Sequence, residues 1–360
     1  MSDIASTPAA ERDFAGELCA LVAEADRTGT PLRIAGGGTK AFYGRVVDGS
    51  TLDVTGHRGI THYDPVELVV SVRAGTPLPE LERALAEAGQ QLPFEPPHLG
   101  AAATVGGMVA TGLSGPRRPW SGAVRDFVLG TRLITREGRH LRFGGEVMKN
   151  VAGYDVSRLV TGAQGTLGVI TEVSLKVLPI PAASYSLRLQ LPLESAATKL
   201  AKWGCQPVPI TGAAWHDGSL FLRLEGGERS VDANRARLGG EAVDSGFWHQ
   251  LREQTLSFFS REDRRPLWRL SVPQVAPPLG LAGDWLYDWA GAQRWLRSAA
   301  PAADIRAAAV RAGGHATCYT PGVTEPFTPL APVLAKYHRQ LKARLDPNGI
   351  FNPGRLYPDL

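Results

Sequence analysis

Cysteine is scarce in this chain, and its scarcity excludes several classes of metal and disulfide protein. Only three cysteines occur in 360 residues, at Cys19, Cys205 and Cys318, and no two are close enough for a CxxC spacing. A disulfide framework, a thiolate zinc site and an iron–sulfur cluster all need cysteines in closely spaced sets. We therefore expect no disulfide and no metal site, and an iron–sulfur cluster cannot be held by this chain alone.

Long apolar runs and runs of like charge are also missing. No stretch approaches the roughly 20 apolar residues that a membrane-spanning helix needs, and Met1–Asp13 lacks the basic and apolar parts of a secretory signal. The net charge is only +4, and acids interrupt basic clusters such as Arg261–Arg265. We expect a cytoplasmic protein that does not bind nucleic acid and that associates with membranes only through partner subunits.

Glycine and proline are abundant instead. The 41 glycines and 27 prolines separate apolar segments, which is typical of many tight turns in a folded chain. Strands and helices alternate in the first half, where helices are predicted over Glu11–Arg27 and after an N-cap at Thr76. Strands are predicted at Leu32–Ile34, Leu52–Val54, Glu67–Arg73, Leu129–Thr135, His140–Phe143 and Val169–Val177.

The composition changes after a boundary at Pro179–Ala183. Seven of the eight tryptophans lie between Trp203 and Trp295, where we expect them to serve packing rather than cofactor stacking. Strands are predicted at Leu187–Leu191 and Leu220–Leu224, and an amphipathic helix over Asp284–Ala300. Mixed elements of this kind predict an α+β fold.

Three glycine-rich segments in the first half carry the functional signal. Gly36-Gly37-Gly38-Thr39-Lys40 follows a strand, and successive glycines let backbone N–H groups converge on an anion such as a pyrophosphate. Ala103–Gly112 is built of small and hydroxyl residues that leave room for a large flat ligand, and Met148–Asp155 leads into a third glycine turn at Thr161–Thr171. One such turn is equally typical of close packing, and none has P-loop or GxGxxG spacing. Three together favour a dinucleotide site.

In this order, and followed by Leu345–Gly354, these segments resemble the vanillyl-alcohol oxidase / p-cresol methylhydroxylase (PCMH-type) family of FAD-binding proteins. The compact chain, with its segments Trp289–Trp295 and Gly313–Thr317, is similar to the smaller FAD-binding subunits of bacterial glycolate oxidases. The resemblance implies a PCMH-type FAD-binding domain of two α+β subdomains over residues 1–180 and a smaller α+β cap over 181–330. Residues 331–360 are then expected to return to the FAD domain.

The resemblance also implies which residues hold the cofactor. The first glycine loop is expected at the pyrophosphate, the second segment along the flavin and its ribityl chain, and the third at the ring edge and the adenosine. The implied set is Gly36, Gly37, Gly38, Thr39, Lys40, Thr104, Gly106, Gly107, Thr111, Gly165, Thr166, Gly168, Ile170 and Asn352. Relatives with covalent flavin often have histidine where this chain has Gly38, so we expect noncovalent FAD. His98, the other histidine to consider near the ring, is expected to be structural.

Catalytic residues are harder to assign. Related 2-hydroxy-acid dehydrogenases carry a His-x-Gly-Asp-Gly-Asn-x-His run that supplies metal ligands and a base, and nothing between Ser184 and Leu330 matches it. The remaining candidates are His315 as a base and Arg117 and Arg118 as cations for a substrate carboxylate. Each is also explained by an ordinary structural role in a loop or turn.

Three functions stay open at this point. The first is an FAD-binding subunit of a glycolate (2-hydroxy-acid) oxidase complex, whose flavin accepts or relays electrons from the oxidation of glycolate to glyoxylate. Its expected partners are a larger FAD-binding subunit and an iron–sulfur subunit. The alternatives are a self-sufficient FAD-dependent oxidase or dehydrogenase of a small hydroxy acid, and an assembly subunit that keeps FAD for stability.

Overall fold

The computed structural model describes residues 12–145 and 154–360 of the chain. Up to Pro179 its elements are α1 (Ala15–Thr28), β1 (Leu32–Ala35), β2 (Ser50–Asp53), β3 (Ile60–Asp64), β4 (Val69–Arg73), α2 (Leu78–Glu87), β5 (Gln90–Gln91), α3 (Val105–Thr111), α4 (Arg118–Ser121), α5 (Val124–Phe127), β6 (Val128–Ile134), β7 (His140–Gly144), α6 (Val156–Val160), β8 (Val169–Lys176) and β9 (Leu178–Pro179). Residues Met148–Gly153 of the third glycine-rich segment lie outside the described residues.

The remaining elements begin at Ala183. They are β10 (Ala183–Gln190), α7 (Leu193–Gly204), β11 (Ile210–His216), β12 (Ser219–Gly226), α8 (Glu228–Leu238), β13 (Glu241–Ala242), α9 (Gly246–Arg252), β14 (Leu267–Ser271), β15 (Asp284–Asp288), β16 (Gln293–Arg297), α10 (Ala302–Arg311), β17 (His315–Cys318) and α11 (Pro332–Leu345). Short 3-10 helices lie at Ser257–Phe259 and Trp289–Gly291. Helices and strands mix along the chain, so the α+β prediction is confirmed.

A small parallel sheet lies near the beginning of the described residues. Strands β1 and β2 pair in parallel, and α1 packs its buried Leu18 and Val22 against the same apolar cluster as Leu32 and Leu52. The predicted first helix is confirmed, although it begins at Ala15 rather than Glu11. It ends where Gly29 takes a φ of 67°, a left-handed conformation that glycine adopts without strain.

A five-stranded antiparallel sheet forms the rest of the first half. Its strand order is β3-β4-β8-β6-β7, and its buried face packs against α2 and α3, with Leu78, Leu81 and Met108 fully enclosed. The predicted N-cap at Thr76 is wrong. The Thr76 hydroxyl instead accepts a hydrogen bond from the Gly59 N–H at 2.9 Å, and Pro77 occupies the N-cap position of α2.

An eight-stranded antiparallel sheet occupies the second half, in the order β13-β10-β12-β11-β15-β16-β14-β17. Helices α7, α8 and α10 cover one face, and α9 covers part of the other. The packing role of the tryptophans is confirmed for five of them, each less than 10% exposed: Trp203, Trp248, Trp268, Trp289 and Trp295.

The amphipathic helix expected over Asp284–Ala300 is wrong, because the segment is a β-hairpin of β15 and β16. A helix of this kind needs a polar face toward water, but all five residues of β16 are buried, including Gln293 and Arg294. Gly291, with a φ of 100°, allows the turn between the strands.

The C-terminal segment returns to the beginning of the fold. After α11, Phe351 forms a parallel bridge with Leu32 of β1. Ile350 and Phe351 are buried in the apolar cluster that α1 forms with β1 and β2. At the end of α11, the side chains of Lys342 and Asp346 form an ion pair of 2.6 Å across the last helical turn. Among the described helices, none is both long and apolar enough to cross a bilayer.

Candidate functional site

A cavity of about 170 Å³ opens at the end of β1, between the glycine loop, α3 and the C-terminal segment. Its described lining includes three basic side chains and no acidic one. An anionic ligand therefore suits this first cavity. The lining residues are Arg33, Ile34, Ala35, Gly36, Gly37, Gly38, Thr39, Lys40, Ala41, Val47, Thr104, Gly107, Ala110, Thr111, Gln164, Asn352 and Arg355.

The glycine loop forms one wall of the first cavity at a very close backbone approach. A Cβ atom added to Gly37 would lie 1.5 Å from the carbonyl oxygen of Ala102, so only glycine fits there. Gly38 has a φ of 70°, and a Cβ atom at this position would meet nothing within 4 Å. The loop thus leaves its own side of the cavity free of side chains, as a ligand contacted by backbone N–H groups requires.

Thr39 and Lys40 are fixed by one carbonyl group. The Thr39 hydroxyl donates to the His98 carbonyl oxygen at 2.8 Å, and Lys40 Nζ donates to the same oxygen at 3.0 Å. Burial lowers the pKa of Lys40 to about 8, although the Glu253 carboxylate raises it. Lys40 is thus a poorly solvated cation that carries its charge at neutral pH.

Helix α3 supplies the opposite wall. The Thr104 hydroxyl caps it by accepting from the Gly107 N–H at 3.2 Å, and the Thr111 hydroxyl donates to the Gly107 carbonyl at 2.8 Å. Gly106 faces away from the cavity, and a Cβ atom there would lie 2.6 Å from the Cβ atom of Ala74. Of the residues predicted on this helix, Thr104, Gly107 and Thr111 line the cavity.

Two residues of the C-terminal segment complete the cavity. Asn352 accepts from the Ile34 N–H at 2.8 Å and donates to the Gln164 carbonyl at 2.7 Å, which joins β1 to the third glycine turn. Arg355 donates to the Gln164 side chain at 2.9 Å and to the Tyr43 carbonyl at 2.8 Å. Neither residue is in the predicted cofactor set, although Gln164 lies within the glycine turn Thr161–Thr171 and Arg355 directly follows the segment Leu345–Gly354.

Four other predicted cofactor residues lie behind the cavity rather than in its lining. Gly165 lies under Asn352, with 2.8 Å between its added Cβ and the side-chain amide nitrogen. The Thr166 hydroxyl donates to the Ala163 carbonyl at 2.7 Å. Gly168 precedes β8, and Ile170 is buried in the core of the five-stranded sheet.

Arg117 and Arg118, both catalytic candidates, make contacts between the two halves of the chain. Arg117 pairs with Glu95 at 3.4 Å and with Glu225 of β12 at 2.8 Å, and it is buried. Arg118 lies over the ring of Trp289 at 4.4 Å from its centroid. Neither lines the first cavity.

The two histidine candidates also lie outside the first cavity. His315 is the first residue of β17 and lies opposite Ser271. Desolvation and the Arg269 cation lower its pKa, so the ring is neutral at pH 7. The His98 imidazole lies 3.0 Å from a Glu82 carboxylate oxygen.

Comparison with known proteins supports the same cofactor class. A family model described as an FAD binding domain matches residues 14–144. The chain is 57% identical over 350 residues to the glycolate oxidase subunit GlcE of Escherichia coli. The aligned region covers 97% of this chain and 99% of that subunit. The chain is 33% identical over 173 residues to a D-lactate dehydrogenase of Anaerostipes hadrus, covering 48% of this chain and only 36% of that enzyme.

Among solved structures, an alkyldihydroxyacetonephosphate synthase matches with a TM-score of 0.65 and 17% identity, covering 94% of this chain and 75% of that one. This likeness shows the fold. The match to the FAD binding domain and the 57% identity to GlcE together show that the cofactor of this chain is FAD. The glycine backbone, the basic lining and the absence of acidic side chains among the described lining residues suit its pyrophosphate.

Proposed function

The chain belongs to the family of the glycolate oxidase subunit GlcE, and from this premise we propose that it is an FAD-carrying subunit of a complex that oxidises glycolate to glyoxylate. This oxidation removes two electrons and two protons from the alcohol carbon and its hydroxyl. When bound, FAD supplies the acceptor for the electron pair. The chain's own residues bind the dinucleotide, orient it and keep acidic groups away from its phosphates.

The first cavity is the observation that carries this proposal. Its lining comes from residues 33–164 and 352–355. This supports a division in which residues 1–180 and 331–360 form the cofactor domain and residues 181–330 form a cap. Within the cavity, we assign the binding of phosphate oxygens to Lys40 and the Gly36–Gly38 backbone, and Thr104 and Thr111 lie along the opposite wall.

The partners we propose are a larger FAD-binding subunit and an iron–sulfur subunit that takes up the electrons. The name of the Escherichia coli relative as a subunit supports an assembly. The three cysteines are free and differ in surroundings, since Cys205 is exposed and Cys318 is buried. Electrons therefore leave this chain through a partner rather than through a cluster of its own.

The test is to measure glycolate oxidation by the purified complex after blocking the first cavity. The substitution K40E puts a carboxylate where the phosphates are expected, and K336E on the exposed α11 makes the same charge change away from the cavity. We expect K40E to lose FAD from this chain and most of the activity of the complex, while K336E keeps both.

Two results would replace the proposal. Full activity of a K40E complex that has lost this chain's FAD would leave the chain an assembly subunit. Anaerobic bleaching of the flavin by glycolate, in the isolated chain and at the rate of the complex, would make it a self-sufficient oxidase.

A further inference from the structure

A second, smaller cavity lies between the two halves of the chain. On the side of the FAD domain it is lined by Pro97 and by the turn Leu113–Pro116, and on the other side by Arg269 and Asp288 of the eight-stranded sheet. It adjoins the first cavity along the chain. Thr111 lines the first cavity and Leu113 the second, and Lys40 bonds the carbonyl of His98, the residue after Pro97.

The strand register explains why these polar groups meet. In the antiparallel pairing, Arg269 lies opposite Trp295, and Gln293 lies opposite Asp288. Directly opposed residues share a face, and so do residues two apart on one strand. All four side chains therefore project from the face of the sheet that meets the FAD domain, and all four line the second cavity.

Arg269 has unused hydrogen-bonding capacity on this face. A guanidinium group has five N–H donors, and among the described residues the only acceptor in bonding distance of Arg269 is the Tyr43 hydroxyl, at 3.1 Å. Its guanidinium carbon lies over the rings of Tyr43 and Tyr319, at 5.5 and 5.4 Å from their centroids. These ring contacts fix the plane of the Arg269 guanidinium group and leave its other N–H donors available to a ligand.

Other arginines of the eight-stranded sheet use their N–H donors in hydrogen bonds and ion pairs within the chain. Arg294 donates to the carbonyl oxygens of Gly291, Pro277 and Ala276, and Arg223 pairs with Glu95 at 2.8 Å. Within the described part of the chain, no carboxylate forms an ion pair with Arg269. A fork of free donors, fixed by two rings and lining a cavity, is the arrangement that binds a carboxylate through two parallel hydrogen bonds.

Two further charges near the second cavity are compatible with an incoming anion. Burial lowers the pKa of Arg118, and the nearby Arg269 cation lowers it further. Burial raises the pKa of Asp288 to about 7, and the Glu95 carboxylate adds to the effect. At neutral pH Asp288 is therefore about half uncharged, which reduces its repulsion of a carboxylate.

We propose that the second cavity binds the carboxylate of a small 2-hydroxy or 2-oxo acid, with Arg269 as its anchor. The proposal rests on the proposed function for the identity of the acid, but the carboxylate site follows from Arg269 itself. Tyr43 and Tyr319 act as positioning residues that keep the guanidinium plane facing the cavity.

The experiment measures glycolate binding to the purified chain by anaerobic titration calorimetry, with FAD content measured on the same samples. Glycolamide has the same hydroxyl but no charge, and is the matched ligand. We expect glycolate to bind at least about tenfold more tightly than glycolamide, and R269M to remove this preference while FAD content stays the same. R269K keeps the charge but loses the fork, so we expect intermediate binding.

R311M removes an exposed arginine at the end of α10 and serves as the control, with no change expected. Equal binding of glycolate and glycolamide by the unmodified, FAD-loaded chain would overturn the proposal, as would unchanged glycolate binding by R269M. The ligand comparison on the unmodified chain needs no variant, so it decides the matter even where R269M is too unstable to purify. Absence of FAD from a chain that still prefers glycolate would count against the proposed function and leave the Arg269 site standing.

Discussion

At the scale of single residues, Lys40 combines the requirements of the fold with those of the ligand. Its ammonium group bonds the His98 carbonyl at 3.0 Å and lines the first cavity, where burial lowers its pKa to about 8. Lysine is charged below its pKa and neutral above it. A pyrophosphate beside Lys40 favours the charged form, so FAD binding and protonation of Lys40 assist each other.

We therefore predict that FAD affinity is greatest below pH 8 and falls by about tenfold between pH 7 and pH 9.5. The K40M variant should bind FAD more weakly at pH 7 and show little further change with pH. Fluorescence titration of the FAD-depleted chain at several pH values measures this, with K336M as the control. A K40M variant with the pH dependence of the unmodified chain would show that another group is responsible.

Asn352 acts at the same scale but through the backbone. It satisfies the Ile34 N–H and the Gln164 carbonyl, two groups that N352A would leave without their partner in a buried place. We predict that N352A lowers the free energy of unfolding by about 3 kcal/mol and weakens FAD binding. N234A, which removes a half-buried amide that bonds the Ser230 carbonyl within α8, should change neither in chemical denaturation and FAD titration. Unchanged stability of N352A would mean that the C-terminal segment does not hold β1 in place.

At the scale of elements, the contact between the two halves depends on a buried group of four charges. Glu95 and Arg117 come from the first half, and Arg223 and Glu225 from β12, with ion-pair distances of 2.8–3.4 Å. Burial raises the pKa of Glu95, but the Arg223 and Arg117 cations outweigh this effect and hold it below its usual value. Removing one member leaves a partner charge buried with less compensation.

We predict that R117M destabilises the protein by about 3 kcal/mol, and that adding E225Q recovers part of the loss because it removes the carboxylate left behind. Denaturation of the single and double variants measures the coupling, and R125M, an exposed neighbour, is the control. Loss of glycolate binding by R117M without loss of stability would return Arg117 to the catalytic candidates.

The same scale shows what the sequence could and could not predict. The helix ending at Gly29 and the strands before the glycine turns follow from local pattern, because capping and alternating burial are local effects. The hairpin at Asp284–Arg297 does not follow from local pattern, because both faces of β16 are buried and its polar residues therefore do not mark a solvent side. Its arginines are satisfied by distant carbonyls that no local pattern shows, as Arg294 is by Pro277.

For the site, sequence reasoning identified the glycine loop, Thr104, Thr111 and Asn352 as candidates, and these residues lie around one cavity. Arg355 was not predicted, because its partners are backbone carbonyls such as that of Tyr43, more than 300 residues earlier in the chain, and the distant side chain of Gln164. Sequence reasoning also missed Arg269, because an arginine in a strand looks the same whether its donors are satisfied or free. Only the register with Trp295 and the Tyr43 contact show that it faces the cavity.

At the scale of the whole molecule, we propose that one FAD binds noncovalently in the first cavity. Gly38 has no side chain for attachment, and the cavity lies between segments that come together only in the folded chain. Unfolding should therefore release the cofactor intact.

The most direct test is the visible absorbance of the purified chain, followed by acid precipitation and analysis of the supernatant. We predict a flavin spectrum at one FAD per chain, with all of the FAD in the supernatant after precipitation. A folded chain that carries no flavin and takes up none from added FAD would contradict the central claim. Flavin that stays with the precipitate would contradict noncovalent binding.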